Sequence, residues 1–280
     1  LADKRDGRGV MTFADGSEYR GLWARGMRNG TGQMTYVNRD VYTGKWKADK
    51  RFGRGTMAFA TGHRYEGMWA NDKQHGRGEI DYADGGHYEG DFAHGVRAGT
   101  GLLKEADGTT YDGDWANDEP HGTGTRRYYH GSPPQPTDRY EGSWRRGKQH
   151  GAGVMFFANG DRYEGAWSGG QRHGKGTQAY NNGEVYVGDW ALGVRSGRGR
   201  LDASDPMPDS GAMAGMIWYE GEWANDGQTG TGVAEYTNGD RYDGAWSGYV
   251  RSGRGELTCA DGETYIGRWA NDMREGPGTA

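Results

Sequence analysis

Aromatic and small residues alternate with polar ones over short stretches of this chain, and the stretches recur. Tyr163, Gly165 and Trp167 are separated by Glu164 and Ala166, a period of two that places them on one face of a β-strand. Gly174, Gly176, Gln178 and Tyr180 line one face of a second strand in the same way. The polar, glycine-containing segment from Ser168 to His173 reads as the turn between them, and Asn181-Asn182-Gly183 after the second strand is a hairpin signal. One β-hairpin per unit is predicted.

The unit starts at Tyr19, Tyr42, Tyr65, Tyr88, Tyr111, Tyr140, Tyr163, Tyr186, Tyr219, Tyr242 and Tyr265, a spacing of 23 residues with one step of 29 and one of 33. Gly follows two places later in all eleven, and Trp two after that in ten, with Phe92 in the fourth. A Gly-x-Gly comes next in every unit, from Gly30/Gly32 to Gly276/Gly278. A fixed period of this length marks a solenoid or open array, read here as one domain over residues 1–280. Residues 1–18 hold the second half of an earlier unit, and the chain stops inside the last one. Both ends are therefore expected to be open strand edges that favour a homodimer or end-to-end association, and the start at Leu1 suggests that a piece precedes it. Extra residues at about 129–136 and 202–217 fall at the same inter-strand turn, hence along one edge.

The expected fold is all-β: an elongated, single-layer array of about eleven tandem hairpins forming a twisted half-pipe or rod. One layer needs its own means of stabilisation. The glycines offer it, because rings can lie flat over backbone that carries no side chain. Phe13, Tyr36, Phe59, Tyr82, Tyr128, Phe157, Tyr180 and Tyr236 extend the aromatic stripe at the end of the second strand. The opposite face, with Glu66, Glu89, Glu141 and Glu164 beside Arg64, Arg139 and Arg162, reads as a solvated face with cross-strand ion pairs.

Composition changes the picture in three places. With apolar residues at 33% and 55 glycines, a disordered chain would be the first reading, but 11 Trp and 18 Tyr held in register are what a lean folded core uses. The net charge of −5, with 34 basic and 39 acidic residues intermixed, lacks the footprint of a nucleic-acid binder. A single cysteine, Cys259, rules out an intramolecular disulfide and a multi-cysteine metal site, with cytoplasm as the default compartment. Its slot is one usually filled by Tyr or Phe, so a packed thiol is expected. No run of about 18 apolar residues or signal-like start is present.

His75, His121, His150 and His173 stand just before the Gly-x-Gly. Equivalent positions in adjacent hairpins lie about 9–10 Å apart, whereas zinc holds each ligand nitrogen at about 2 Å, so these read as turn residues. Phosphate-loop, His-Glu-x-x-His and Gly-x-Ser-x-Gly patterns are missing, and the carboxylates recur with the repeat instead of pairing once. No catalytic, cofactor-binding or metal-binding residue is expected.

Tyr-Glu-Gly-x-Trp, about six polar residues, then His-Gly-x-Gly, resembles the MORN repeat (membrane occupation and recognition nexus) over essentially the whole chain. The resemblance implies hairpin arrays that act as scaffolds in cilia and flagella, including radial spoke heads, in parasite cytoskeletal collars and at membrane contact sites, and that bind partner helices or dimerise. MORN units also occur beside lipid kinases and methyltransferases, but the residues read here are taken up by the repeats. The expectation is a non-enzymatic cytoskeletal scaffold of the ciliary or flagellar axoneme, binding a helix or extended segment of other cytoskeletal or axonemal proteins. Because one layer leaves rings partly open, the expected partner groove comprises Tyr65, Trp69, Tyr88, Tyr111, Trp115, Tyr140, Trp144, Tyr163, Trp167, Tyr186 and Trp190. The alternative is a peripheral membrane adaptor that binds phosphoinositides; the dispersed Lys and Arg give little basis for lipid binding.

Overall fold

Alternation of Tyr, Gly and Trp with polar residues builds a short strand, Arg162–Ser168, and the Gly-x-Gly segment builds a longer one, Gln171–Ala179. The computed structural model describes residues 4–131, 135–203 and 215–279. Within them the pattern repeats as 23 strands with no helix. Two units are distinguished, Leu1–Thr137 with Trp144–Gly147, and Asp138–Ser143 with Lys148–Ala280. In each, consecutive strands pair antiparallel in sequence order as an all-β, single-layer array of hairpins.

Register follows the glycines. In the first unit Gly21 faces Gly32, Gly32 faces Gly44, and Gly44 faces Gly55. In the second unit Gly153 faces Gly165, Gly165 faces Gly176, and Gly176 faces Gly188. A column of bare backbone thus crosses each sheet at right angles to its strands. A one-residue slip would move every ring to the other face, so the two-residue period fixes this pairing.

The turn after Trp is shorter than expected. Ser168 ends its strand and the next resumes at Gln171, leaving Gly169 and Gly170 as the two turn residues at φ 59° and 89°. Positive φ at both centres is the turn geometry that matches strand twist, and Asn71 and Asp72 adopt it at 49° and 67°. The remaining polar residues belong to the second strand, which bulges where pairing shifts between Gly165 and Trp167. Gly174 sits in that bulge at φ 61°, so the first glycine of Gly-x-Gly answers to backbone conformation and the second to packing.

The loop after the second strand behaves as expected, with Gly183 N donating to Tyr180 O at 2.9 Å and Tyr180 N to Glu184 O at 2.8 Å. Residues 132–134 and 204–214, the centres of the two extra segments, lie outside the described residues. Ala203 N still donates to Ile217 O at 2.9 Å, so the flanks of the second segment close as the loop does elsewhere.

Candidate functional site

Each tyrosine folds back along its own strand. Ala166, skipped by the bulge in the pairing with Gln171–Ala179, has its carbonyl taken by the Tyr163 hydroxyl at 2.9 Å. The same bond joins Tyr65 to Met68 at 2.8 Å and Tyr186 to Asp189 at 3.0 Å. Reaching that carbonyl lays the phenol across the glycine column. A β-carbon at Gly78 would stand 2.6 Å from the Tyr65 hydroxyl, and one at Gly176 would collide with Tyr163.

The tryptophans link successive repeats. Trp69 Nε1 donates to Gly55 O at 3.0 Å, and Trp246 Nε1 donates to Gly232 O at 3.0 Å. Tyrosines are wedged edge-on between two aromatic rings: Tyr163 stands 5.2 Å from Trp167 at 89° and 5.3 Å from Trp190 at 83°, and Tyr65 stands between Trp69 and Phe92. Perpendicular packing of this kind adds about 0.5–1.5 kcal/mol per pair beyond the area buried.

The rings therefore do not form the open stripe expected from a single layer. Tyr65, Tyr88, Tyr140, Tyr163 and Tyr186 are 0% exposed and Tyr111 1%, while Trp69, Trp115, Trp144, Trp167 and Trp190 range from 2% to 7%. The physical reason is that the phenol lies flat on glycine and the indole stands against it, with an arginine closing the outside over Trp69, Trp115 and Trp190. Burial pushes the Tyr163 phenol up to about 12 and raises Tyr65, Tyr88, Tyr111 and Tyr186 as well.

That arginine is the contributor sequence reading missed. Arg51 lies over Trp69 at 4.4 Å and Arg97 over Trp115 at 4.2 Å, close enough for cation–π attraction. Asp72 of the next turn accepts from Arg51 N at 2.9 Å and Nε at 3.3 Å, and Arg51 Nη2 donates to the Asp72 carbonyl at 2.7 Å. Arg28–Asp49, Arg97–Asp118, Arg195–Asp226 and Arg251–Asp272 repeat the clasp. The signal is present in the chain itself: every repeat with Asp three places after its Trp follows one with Arg five places after the ring residue.

On the opposite face the glycine column stays open. In the second unit it floors a trough of about 820 Å³ across six strands, with Val187, Arg200, Trp218, Glu220 and Asp243 among its walls. Its rims hold cross-strand and same-strand ion pairs, Lys175–Asp189 at 2.7 Å, Arg200–Glu220 at 3.5 Å and Arg241–Asp243 at 3.2 Å. Trp218 departs from the register of the other tryptophans; Arg200 stacks on it at 4.4 Å, and its Nε1 donates to Glu235 at 2.9 Å. Smaller hollows over the same column occur in the first unit beside Arg54 and Glu89, and beside Arg8 and Thr31.

His75, His121, His150 and His173 each precede a bulge glycine at positive φ, and the His121 carbonyl accepts a bond from the Tyr111 hydroxyl at 3.3 Å. Among the described residues no three of His, Cys, Asp and Glu converge as a metal site requires. Cys259 is half-buried, and no helix among the described residues is long and apolar enough to cross a membrane.

The family model described as MORN repeat matches residues 1–18, 19–41, 42–64, 65–87, 88–110, 111–132, 140–162, 163–185, 186–205, 219–241, 242–264 and 265–280. No curated protein gives a match. Among solved structures, the chain is similar to the TCP10 domain of Danio rerio CPAP in complex with a peptide of STIL, at 12% identity and a TM-score of 0.31, covering 91% of this chain and 90% of that one. It is also similar to the SAS-4 (dCPAP) TCP domain of Drosophila melanogaster in complex with a proline-rich motif of Ana2, at 11% identity and a TM-score of 0.21, covering 95% of each. With repeats matched from one end to the other and the glycine, tyrosine and tryptophan of each placed in one recurring core, the chain belongs to the MORN-repeat family.

Proposed function

We propose that this chain is a non-enzymatic scaffold that holds a helical or extended segment of a partner protein in the trough opposite its rings, within a cytoskeletal assembly of the ciliary or flagellar axoneme resembling a radial spoke. The observation that carries this reading is the glycine-floored trough of about 820 Å³. Glycine lets another backbone approach the sheet closely, and Val187, 50% exposed, together with Trp218 supplies apolar contact between charged rims. Tryptophan and arginine are enriched among the residues that dominate binding energy in interfaces, and Trp218 with Arg200 stacked on it stands in this wall. Tyr65, Trp69, Tyr88, Tyr111, Trp115, Tyr140, Trp144, Tyr163, Trp167, Tyr186 and Trp190 would then act from beneath, holding the sheet that presents the trough.

The test is affinity capture from extracts of ciliated cells with the intact chain and with a Val187→Glu/Val233→Glu variant, which places two carboxylates along the trough. Circular dichroism should be unchanged, while axonemal proteins recovered with the unaltered chain should be lost. Equal recovery by both would remove the trough from the account. Recovery dominated by non-cytoskeletal proteins would remove the axonemal assignment.

A further inference from the structure

The turns after each Trp form one long edge in the first unit, and their charges do not follow the repeat. Consecutive turns abut, since Gly26 N donates to Arg5 O, Asp49 N to Arg28 O, and Asp72 N to Arg51 O at 2.9, 3.0 and 3.3 Å. Along this edge Lys4, Arg25, Lys47, Lys50 and Lys73 are exposed, and among the described residues none is in an ion pair. The nearby acids Asp49 and Asp72 are already engaged by Arg28 and Arg51, and Asp6 accepts the amide of Gly7. Lys47 and Lys50 face each other across one turn, a like-charge pair that works against the sheet.

The fold does not require these cations. In the second unit the same slots, the first, second and fourth places after Trp167, Trp190, Trp223, Trp246 and Trp269, carry no charged residue. Equivalent geometry is met there by Ser, Gly, Ala, Asn, Leu, Val, Gln and Met. A basic edge that the architecture tolerates at a cost, within a chain of net charge −5, points to something outside the fold.

From this placement we infer that the turn edge running from Lys4 to Lys73 is a docking site for an extended acidic protein segment, a second contact separate from the trough. Successive hairpins lie about 9–10 Å apart, so three turns span about 20 Å, the reach of about six extended residues at ~3.3 Å each. Glutamates or aspartates at every third position would meet one turn after another. The narrow line of charge suits a peptide strand better than a membrane plane. Phe52 and Met27, 46% and 39% exposed, offer apolar contact beside it, with Lys47 Nζ 5.1 Å from the Phe52 ring.

The probe is a fluorescein-labelled oligoglutamate peptide titrated with the whole chain and read by fluorescence anisotropy, with oligoglutamine as the neutral control. Binding should be saturable at low salt and weaken as salt is added, and Lys47→Glu/Lys50→Glu should weaken it about tenfold or more. The matched double reversal Arg254→Glu/Arg268→Glu, at two exposed cations that face each other in the second unit, should leave it unchanged. Because Lys47→Ala/Lys50→Ala relieves a like-charge pair, that variant should melt no lower than the parent while still binding more weakly, which separates docking from folding. Equal binding by the parent and the Lys47/Lys50 variants, or by oligoglutamine, overturns the inference. So does a result in which vesicles of anionic lipid bind through Lys47 and Lys50 and the peptide does not.

Discussion

Gly176→Ala tests whether the glycine column exists to seat tyrosine rings. Its new methyl group would fall within the Tyr163 phenol. Moving the ring costs about 1–3 kcal/mol of overpacking, and breaking the bond to the Ala166 carbonyl adds about 1 kcal/mol. A loss of about 3 kcal/mol is expected. Two residues earlier, Gly174→Ala meets only the Ala166 Cβ at 3.4 Å but is held at φ +61°, so its cost is the left-handed strain of about 1–2 kcal/mol. Tyr163→Ala alone should cost about 3–5 kcal/mol. In that background the three ring atoms nearest to the alanine at 176 are gone, and the cost of Gly176→Ala should fall toward zero. Urea unfolding followed by tryptophan fluorescence gives the four stabilities of the cycle and a coupling of about 3 kcal/mol. Additive losses would show that glycine and ring are independent, and the account of the core would fail.

Three further outcomes follow from the same contacts. Phe92 stands where ten other repeats carry Trp and packs on Tyr65 at 5.2 Å and 84°; Phe92→Trp should add an indole bond to the Gly78 carbonyl and raise stability by about 1 kcal/mol, and a lowered melting temperature would contradict this. Asp72→Gly keeps the φ of 67° comfortable while removing the clasp on Arg51, so it should cost about 1 kcal/mol; Asp72→Ala should cost about 2 kcal/mol because strain is added, and equal melting of the two would deny that strain. Burial raises the Tyr163 and Tyr242 phenols to about 12 against about 10 in an unfolded chain, so the folded state retains protons the unfolded state has lost. Stability should be full below about pH 10 and fall as pH rises toward about 12, with tyrosinate absorbance appearing together with unfolding; early titration without unfolding would mean open rings.

The hairpin unit, its repeat and the shared face of Tyr, Gly and Trp were legible in the sequence because a two-residue period and a fixed repeat act on every unit at once. Turn length was not, since Ser168 to His173 is polar throughout and only the bulge at Gly174 separates turn from strand. Openness of the rings was misjudged for a different reason. Periodicity places Tyr163 and Trp167 on one face, but it does not reveal that the phenol runs back to the Ala166 carbonyl and that Arg172 closes over Trp190 at 4.2 Å. The Arg–Asp clasps were readable only by comparing each repeat with the one before it, because the covarying positions belong to different units. The trough followed from none of these patterns: it depends on what the glycine column leaves uncovered on the far face, and on the off-register Trp218.

The most direct test of the scaffold reading places a photoreactive amino acid at Val187, in the trough, and in a separate chain at Tyr180, on the ring side, each expressed in ciliated cells and irradiated. Mass spectrometry of the adducts reports which face meets a partner. The account predicts that position 187 crosslinks to a defined segment of an axonemal protein and that position 180 does not. Crosslinks to that segment from position 180 alone would contradict it.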